Sequence, residues 1–200
     1  MKVLIVVDMQ NDFVTGVLGT EEAKSIVPNV VGKIEEYRHY GEGQHIVYFT
    51  RDTHSVEYLE SEEGKNLPVP HCLRDEEGWE FIPELKDYLG KVGFIEVRKG
   101  TFGSHKLLWM LRGLDFVQPD GSFLDIESVE LIGVCTDICV ISNAIIAKSA
   151  LPDVPIYVDA SCCAGVTPEV HDKAIDLMKN SLQIHILNEG QEPWREKCHE

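Results

Sequence analysis

The sequence predicts an α/β fold built around a doubly wound, mostly parallel sheet with a Rossmann-like arrangement. Short apolar runs rich in β-branched residues recur along the chain, as in parallel strands that are buried on both faces. Stretches with helical spacing of apolar residues follow these runs. The first three segments, Lys2–Val7, Ser25–Tyr40 and His45–Arg51, read as strand, helix and strand, and so form a βαβ unit.

The first of these segments, Lys2–Val7, is a continuous apolar and β-branched run, which is typical of a central strand. In Ser25–Tyr40 the apolar residues recur every three or four positions, and Pro28 falls in the first turn, where proline is tolerated. Gly41 and Gly43 are expected to end this helix.

The remaining elements continue the alternation. A short helix-like stretch at Gly78–Tyr88 precedes a third strand at Phe94–Val97, and leucines at helical spacing predict a helix over His105–Leu114. Gln118–Ser122 has the composition of a turn and indicates a small insertion before the fourth strand. The later elements are a fifth strand, a helix capped by Thr167 and a short last strand: Val154–Val158, Pro168–Lys179 and Gln183–Leu187.

Composition limits the classes of function. The 200 residues suit a single domain, predicted over residues 1–188, with a loosely held polar tail at 189–200. A formal net charge of -16 disfavours nucleic-acid and anionic-membrane partners and suits a small-molecule ligand. No apolar run approaches a membrane span, and no signal peptide is recognisable. The six cysteines are therefore expected as reduced thiols in the cytoplasm.

The most informative stretch is 129–144, where an apolar strand changes into a helical pattern. Thr136 and Asp137 lie at the change and suit an N-cap, which places Cys139 in or near the first helical turn. The N–H groups and positive dipole end of a helix favour a thiolate, and the same N–H groups can bind an oxyanion. The alternative is a buried cysteine that packs as a small apolar residue.

Two other polar residues stand at the ends of predicted strands, Asp8 after the first and Lys99 after the third. Because the carboxyl ends of parallel strands share one edge of a sheet, both can meet Cys139 there. Asp8 would act as general base, Lys99 would stabilise the thiolate, and backbone N–H groups at Cys135 and Cys139 would bind the oxyanion. The alternatives are a turn-forming aspartate and a surface lysine.

The long polar segment at 52–78 is predicted to be a functional loop. Asp52 and His54 point to one side of an extended chain, and His71 can return to meet them. A fourth ligand could come from any of three acids: Glu60, Glu62 or Glu63. Such a mixed nitrogen and oxygen set suits divalent zinc, manganese or iron, whereas the alternative is a set of solvated loop residues.

Four motifs resemble the isochorismatase-like cysteine hydrolases, in the nicotinamidase branch. They are VVDMQNDF at 6–13, RDTH at 51–54, VRKGTFGS at 97–104 and GVCTDICV at 133–140, in the family's order. The resemblance implies a three-layer α/β/α sandwich around the mostly parallel sheet. It also implies Asp8, Lys99 and Cys139 as a catalytic triad, with a cis peptide bond between Val134 and Cys135.

The resemblance also implies a bound metal ion, zinc before manganese or iron. It matches Asp52, His54 and His71 to metal ligands and makes Glu63 the preferred fourth ligand. In nicotinamidases this ion binds the pyridine nitrogen, and relatives that cleave isochorismate or N-carbamoyl compounds generally lack it. Nicotinamidases often have an aromatic residue before the last histidine, where this chain has Pro68-Val69-Pro70.

The function that the resemblance implies is hydrolysis of nicotinamide to nicotinate and ammonia. Phe13 and Phe102 are expected to flank the flat ring of the substrate. One alternative is the hydrolysis of another small amide or N-carbamoyl compound, and another is a catalytically silent α/β binding protein. By analogy with the family, the chain is expected to form a homo-oligomer.

Overall fold

A computed structural model describes residues 1–40, 44–114 and 125–195 of the chain. Its centre is a six-stranded sheet in the order β3-β2-β1-β4-β5-β6, and each neighbouring pair is parallel. The strands are Lys2–Val7 (β1), His45–Asp52 (β2), Phe94–Lys99 (β3), Ser128–Val134 (β4), Ile156–Ala164 (β5) and His185–Leu187 (β6). The predicted α/β class is confirmed, and the described sheet is parallel throughout.

The α-helices of the described residues are Asn11–Val14 (α1), Glu21–Ser25 (α2), Val27–Arg38 (α3), Glu62–Asn66 (α4), His105–Leu114 (α5), Ile141–Ala150 (α6) and Pro168–Ser181 (α7). Short 3₁₀ turns lie at Tyr58–Glu60, Glu77–Trp79 and Pro83–Tyr88. A π-helical turn, Thr136–Val140, joins β4 to α6.

Two hydrophobic cores, one on each face of the sheet, produce the three layers. Along β1, Val3 and Ile5 face the core that includes residues of α5, α6 and α7. Leu4 and Val6 face the opposite core, which contains residues of α2 and α3. Successive residues of a strand point to opposite faces of the sheet. Because helices cover both faces, all four side chains are fully buried.

The helix predicted over Ser25–Tyr40 corresponds to α3, Val27–Arg38, and a separate short helix, α2, precedes it. The Thr20 side chain accepts a hydrogen bond from the Ala23 N–H and starts α2 before the predicted position. Pro28 lies in the first turn of α3 and has no N–H to continue α2. Gly41 and Gly43, which were expected to end the helix, lie outside the described residues, as does the predicted turn at Gln118–Ser122.

The fifth strand is longer than the predicted Val154–Val158 segment and runs to Ala164. The strand was predicted to end before Asp159 because this residue is acidic, yet the Asp159 side chain is almost fully buried. The Lys33 ammonium lies 3.0 Å from the Asp159 carboxylate, so the strand can carry this charge.

Part of the segment after β6, residues 192–195, is packed against the fold. Glu192 and Trp194 are only 2% and 5% exposed. The expectation of a loose tail is therefore wrong for residues 192–195, whereas residues 189–191 are exposed. The reason is that this segment returns to α7, where Arg195 forms ion pairs with Glu192 and Asp172.

Two expectations from composition can be compared with the described ranges. The five cysteines in these ranges are free thiols, and the reduced state of the protein in the cell stays a prediction. Within the same ranges, no helix has both the length and the apolar character needed to cross a membrane. Four of these thiols, at Cys72, Cys139, Cys162 and Cys163, are buried.

Gly133 allows β4 to pair closely with β1 just before the π-helical turn. Its φ is +116°, and a Cβ atom there would lie 2.2 Å from the Val7 carbonyl oxygen. We expect Gly133→Ala to lower the free energy of unfolding by more than about 2 kcal/mol, because strain and collision add. Chemical denaturation measures this change.

Gly32→Ala is the matched control for that experiment. Gly32 lies within α3, and a Cβ atom there would meet nothing within 4 Å. Alanine should therefore raise helix stability by about 0.5–1 kcal/mol. Equal effects of the two substitutions would contradict the role assigned to Gly133.

Candidate active site

Asp8, Lys99 and Cys139 meet at the carboxyl edge of the sheet. The Lys99 Nζ atom lies 2.6 Å from Asp8 Oδ2 and 3.6 Å from Cys139 Sγ. All three residues are buried. The structure thus brings together the three residues that the sequence singled out, with the lysine between the acid and the thiol.

A threonine binds the second oxygen of the Asp8 carboxylate. Asp8 follows β1 with a φ of +49°, which turns its backbone sharply at the end of the strand. The Thr50 hydroxyl donates a hydrogen bond to Asp8 Oδ1 at 2.7 Å and accepts one from the Asp8 N–H at 3.1 Å. The adjacent strand β2 therefore sets the orientation of the acid.

Cys139 lies in the π-helical turn rather than in the first turn of an α-helix. Neither Thr136 nor Asp137 is the N-cap, because both side chains bond to other parts of the fold. Thr136 Oγ1 lies 2.8 Å from His171 Nδ1, and Asp137 Oδ1 accepts a hydrogen bond from the Val166 N–H at 3.0 Å. The predicted N-cap is therefore wrong.

The backbone at the start of the turn has the cis peptide bond that the resemblance implied. The peptide bond between Val134 and Cys135 is cis. The Cys139 carbonyl accepts a hydrogen bond from the Asn143 side chain at 2.8 Å. The turn is thus held at its start by β4 and at the nucleophile by α6.

Burial, rather than a helix terminus, has the largest effect on the pKa of the Cys139 thiol. Burial raises the pKa of Cys139 well above its usual value, and the Asp8 and Asp52 carboxylates add to this effect. The Lys99 ammonium lowers the pKa of the thiol but does not outweigh burial. The expected lowering of this pKa is therefore not found, and the resting group is a thiol that needs a base.

The neighbours of the thiol suit the transfer of a proton. Burial raises the pKa of Asp8, although the Lys99 ammonium and the Thr50 hydroxyl act in the opposite direction. Burial alone would lower the pKa of Lys99, but Asp8, Cys139 and Asp52 raise it well above its usual value. Lys99 therefore remains an ammonium, while Asp8 is a stronger base than an exposed carboxylate.

A second group of side chains, the metal-ligand group, lies beside this triad. Its donor atoms lie within 4.8 Å of one another and belong to Asp52, His54, Glu63 and His71. The Nε2 atom of each histidine lies 3.7 Å from Glu63 Oε1. The same two atoms lie 3.0 and 3.7 Å from Asp52 Oδ2. Glu60, one of the alternatives, is exposed outside the group.

The chemistry of these donors fits a divalent ion. His71 Nδ1 lies 2.8 Å from the Val69 carbonyl, to which it donates, so the Nε2 lone pair faces the group. Despite burial, Lys99 and His54 lower the pKa of Asp52, which is therefore a carboxylate. Two imidazoles and two carboxylates are ligands that zinc, manganese and iron accept.

A cavity of about 690 Å³ opens onto both groups, and Cys139, Asp52 and His71 line it. Phe13 and Phe102, the predicted ring-binding residues, line it as well. Phe13 is buried and packs edge-on against His71 at 5.4 Å between ring centroids, whereas Phe102 is 49% exposed. One aromatic wall is therefore fixed, and the other lies at the open side.

Comparison with known proteins agrees with this geometry. The sequence model described as the isochorismatase domain matches residues 2–189. The chain belongs to the isochorismatase family. A relative described as a probable inactive nicotinamidase of Arabidopsis thaliana is 26% identical over an alignment 196 residues long, and the alignment covers 88% of this chain and 87% of the relative.

Solved structures of isochorismatase-family hydrolases share the fold. The nicotinamidase of Bacillus subtilis is 25% identical, with a TM-score of 0.77 over 94% of this chain and 99% of that chain. A pyrazinamidase of Pyrococcus horikoshii in complex with zinc is 25% identical, with a TM-score of 0.71 over 93% of this chain and 98% of that chain.

The family motifs also contain supporting residues that sequence reasoning did not identify. Gln10 is fully buried, and its amide donates to the carbonyls of Asp52 and Trp79 at 2.9 and 2.8 Å. Its side-chain oxygen accepts a hydrogen bond from the Asp52 N–H at 2.7 Å. The signal was a polar residue two positions after Asp8 within the first family motif.

Asn143 performs a similar task for the nucleophile. Besides binding the Cys139 carbonyl, its amide donates to the Phe102 carbonyl at 3.2 Å, and its oxygen accepts from the Ser104 N–H at 2.9 Å. It therefore ties α6 to the loop that carries Phe102. The available signal was an asparagine on the inward, apolar face of the helical pattern.

The composition of the metal-ligand group predicts that Glu63, and not Glu60, contributes to the binding of a divalent ion. We expect Glu63→Gln to weaken the binding of Zn²⁺ by at least about tenfold, because the amide is a poorer ligand than the carboxylate. Glu60→Gln is the matched control and should bind as the unchanged protein does. Titration calorimetry with Zn²⁺, repeated with Mn²⁺, measures both variants, and equal losses in the two would exclude Glu63 as the ligand.

Proposed function

We propose that this chain hydrolyses a small amide through a thioester on Cys139, and that the amide is nicotinamide. The observation that carries the proposal is the position of Lys99 between the Asp8 carboxylate and the Cys139 thiol. A buried acid, ammonium and thiol that open onto a cavity form a nucleophile unit. Membership of the isochorismatase family and the nicotinamidase fold support the same chemistry.

The first half-reaction forms the thioester. The Cys139 sulfur attacks the amide carbon while Asp8 takes the thiol proton, which burial has kept on the sulfur in the resting state. The backbone N–H groups of Cys135 and Cys139 bind the oxyanion. When the carbon–nitrogen bond breaks, the proton held by Asp8 passes to the nitrogen, and ammonia leaves.

The second half-reaction returns the thiol. Asp8, again a carboxylate, takes a proton from the water that attacks the thioester carbon, and the carbon–sulfur bond breaks. The acid product leaves, and Cys139 recovers its proton from Asp8. Throughout both steps the Lys99 ammonium remains next to Asp8 and the sulfur, where it stabilises the negative charge.

The metal-ligand group is assigned to hold and orient the substrate ring. Asp52, His54, Glu63 and His71 would hold a divalent ion, with zinc preferred because the Pyrococcus horikoshii pyrazinamidase is in complex with zinc. A bound ion supplies a Lewis acid for the pyridine nitrogen of nicotinamide. Phe13 packs against His71 and would contact one face of the ring, whereas Phe102 would cover the other.

A second candidate function is the hydrolysis of a larger amide or of an N-carbamoyl compound. It is favoured by the size of the cavity, about 690 Å³, which exceeds the volume that a single-ring amide occupies. The name of the Arabidopsis relative raises the further alternative of a catalytically silent protein. Against a silent protein stand the direct contacts of Lys99 with both other triad residues.

Ammonia release from nicotinamide tests the proposal. We expect turnover by the zinc-loaded protein and a loss of at least about a thousandfold in both Cys139→Ala and Asp8→Asn, because each removes a group that acts in the bond-breaking step. Asp87→Asn, which alters an exposed acid, is the matched control for charge and should not reduce the rate.

Assays with chelator, and with a panel of nicotinamide, other small amides and N-carbamoyl compounds, separate the two candidate functions and the silent protein. Chelation should raise KM for nicotinamide more than it lowers kcat, because the ion is assigned to binding the ring. Turnover of other amides or N-carbamoyl compounds without turnover of nicotinamide would favour the second candidate. Failure to release ammonia or an acid product from every member of the panel would favour a silent protein.

A further inference from the structure

A series of buried, hydrogen-bonded polar side chains lies next to the π-helical turn that carries Cys139, on the side away from the cavity. Thr136 Oγ1 is 2.8 Å from His171 Nδ1, and His171 Nε2 is 3.3 Å from Glu192 Oε1. Thr136 and His171 are fully buried, and Glu192 is 2% exposed. This hydrogen-bonded series connects the first residue of the π-helical turn to α7 and to the segment after β6. None of the functions described above uses His171 or Glu192.

The partners assign the direction of these hydrogen bonds. Although burial acts against it, hydrogen bonds from His171 and Arg195 lower the pKa of Glu192 to about 2, so this carboxylate only accepts. His171 must therefore carry its proton on Nε2. In the neutral imidazole, Nδ1 is then an acceptor, and the Thr136 hydroxyl donates to it. This tautomer is assigned from the partners of the ring.

We propose that His171, oriented by Glu192, is a positioning residue for the turn that carries Cys139. The inference deepens the proposed function and rests on it, because the positioned turn supplies the nucleophile and the oxyanion-binding N–H groups. His171 does not line the cavity, so it acts through Thr136 and not on the substrate.

Among the described residues, and besides the contact of Lys99 with Cys139, three side-chain hydrogen bonds tether the turn, each to a different part of the fold. Thr136 is tied to His171 on α7, and Asp137 is tied to the Val166 N–H just after β5. Asn143 on α6 holds the Cys139 carbonyl. Loss of one tether leaves two in place, so the fold persists while the turn gains freedom. Since misplacing a reacting group by about 1 Å can reduce a rate about a hundredfold, small freedom here affects turnover.

Glu192 gives the segment after β6 its part in this arrangement. Arg195 pairs with Glu192 and with Asp172 of α7, which closes the segment onto that helix. The His171 ring also packs edge-on against Trp194 at 5.2 Å between centroids. The packed segment therefore fixes the ring from the side opposite to Thr136.

The test compares variants that remove or keep single hydrogen bonds. Thr136→Val replaces the hydroxyl by a methyl group of similar volume, whereas Thr136→Ser keeps the hydroxyl. His171→Gln removes the imidazole, and Glu192→Gln removes the charge that orients it. Glu189→Gln is the control, because Glu189 pairs only with the exposed Lys179 among the ion pairs of the described residues. Each variant is assayed as zinc-loaded protein, well below its melting temperature.

We expect Thr136→Val and His171→Gln to lower kcat for nicotinamide by about tenfold to a hundredfold, the range seen when an orienting group is lost, with little change in KM. Glu192→Gln should cause a smaller loss in kcat, Thr136→Ser should recover turnover, and Glu189→Gln should behave as the unchanged chain. Unaltered kcat in folded Thr136→Val and His171→Gln, or an equal loss in Thr136→Ser and Thr136→Val, would overturn the proposal.

Alkylation of Cys139 by iodoacetamide provides a readout that does not require turnover of nicotinamide. The rate is followed at a fixed pH by mass spectrometry of the peptide that contains Cys139. Loss of the thiol proton requires the turn to hold Cys139 next to the Lys99 ammonium, so Thr136→Val and His171→Gln should react more slowly than the unchanged protein. Faster or unchanged alkylation in both would overturn the positioning role, even if the chain hydrolyses a different amide.

Discussion

The arrangement of the site depends on one buried ammonium. Lys99 Nζ lies 2.6 Å from Asp8 Oδ2, 3.3 Å from Asp52 Oδ1 and 3.6 Å from Cys139 Sγ. Since buried charges are stable only when they are paired, the two carboxylates and the ammonium require one another. Asp52 belongs to the metal-ligand group and Asp8 to the triad, so Lys99 connects the part assigned to hold the substrate with the part assigned to cleave it.

The parallel sheet creates this contact. In the pairing of β2 with β3, Asp52 is the partner of Lys99, and β1, which leads into Asp8, is the other neighbour of β2. The carboxyl ends of three adjacent strands therefore present an acid, a second acid and a lysine side by side. Cys139 joins them because β4 pairs with β1 on the other side. The short distances follow from strand order and register, which the loops alone could not provide.

Much of this arrangement could be predicted from local sequence patterns. Strand ends are visible as apolar runs followed by polar residues, which is why Asp8 and Lys99 could be assigned to one edge of the sheet. The supporting contacts could not be predicted in this way. Thr50 and Asp8 are 42 residues apart, and Thr136 and His171 are 35 apart, so only packing brings them together.

The predicted environment of Cys139 was wrong for a related reason. A capping pair before a helix predicted a thiolate at a helix terminus, but Thr136 and Asp137 bind distant groups, and the chain forms a π-helical turn. Burial, which the sequence does not show, then raises the pKa of the thiol. The covalent mechanism proposed for this site therefore requires Asp8 as a base. Rapid quenching of the reaction with nicotinamide, followed by mass spectrometry, tests the covalent step most directly. We predict one acyl group on Cys139 during turnover, whereas turnover with an acyl group on another residue would contradict the proposed mechanism.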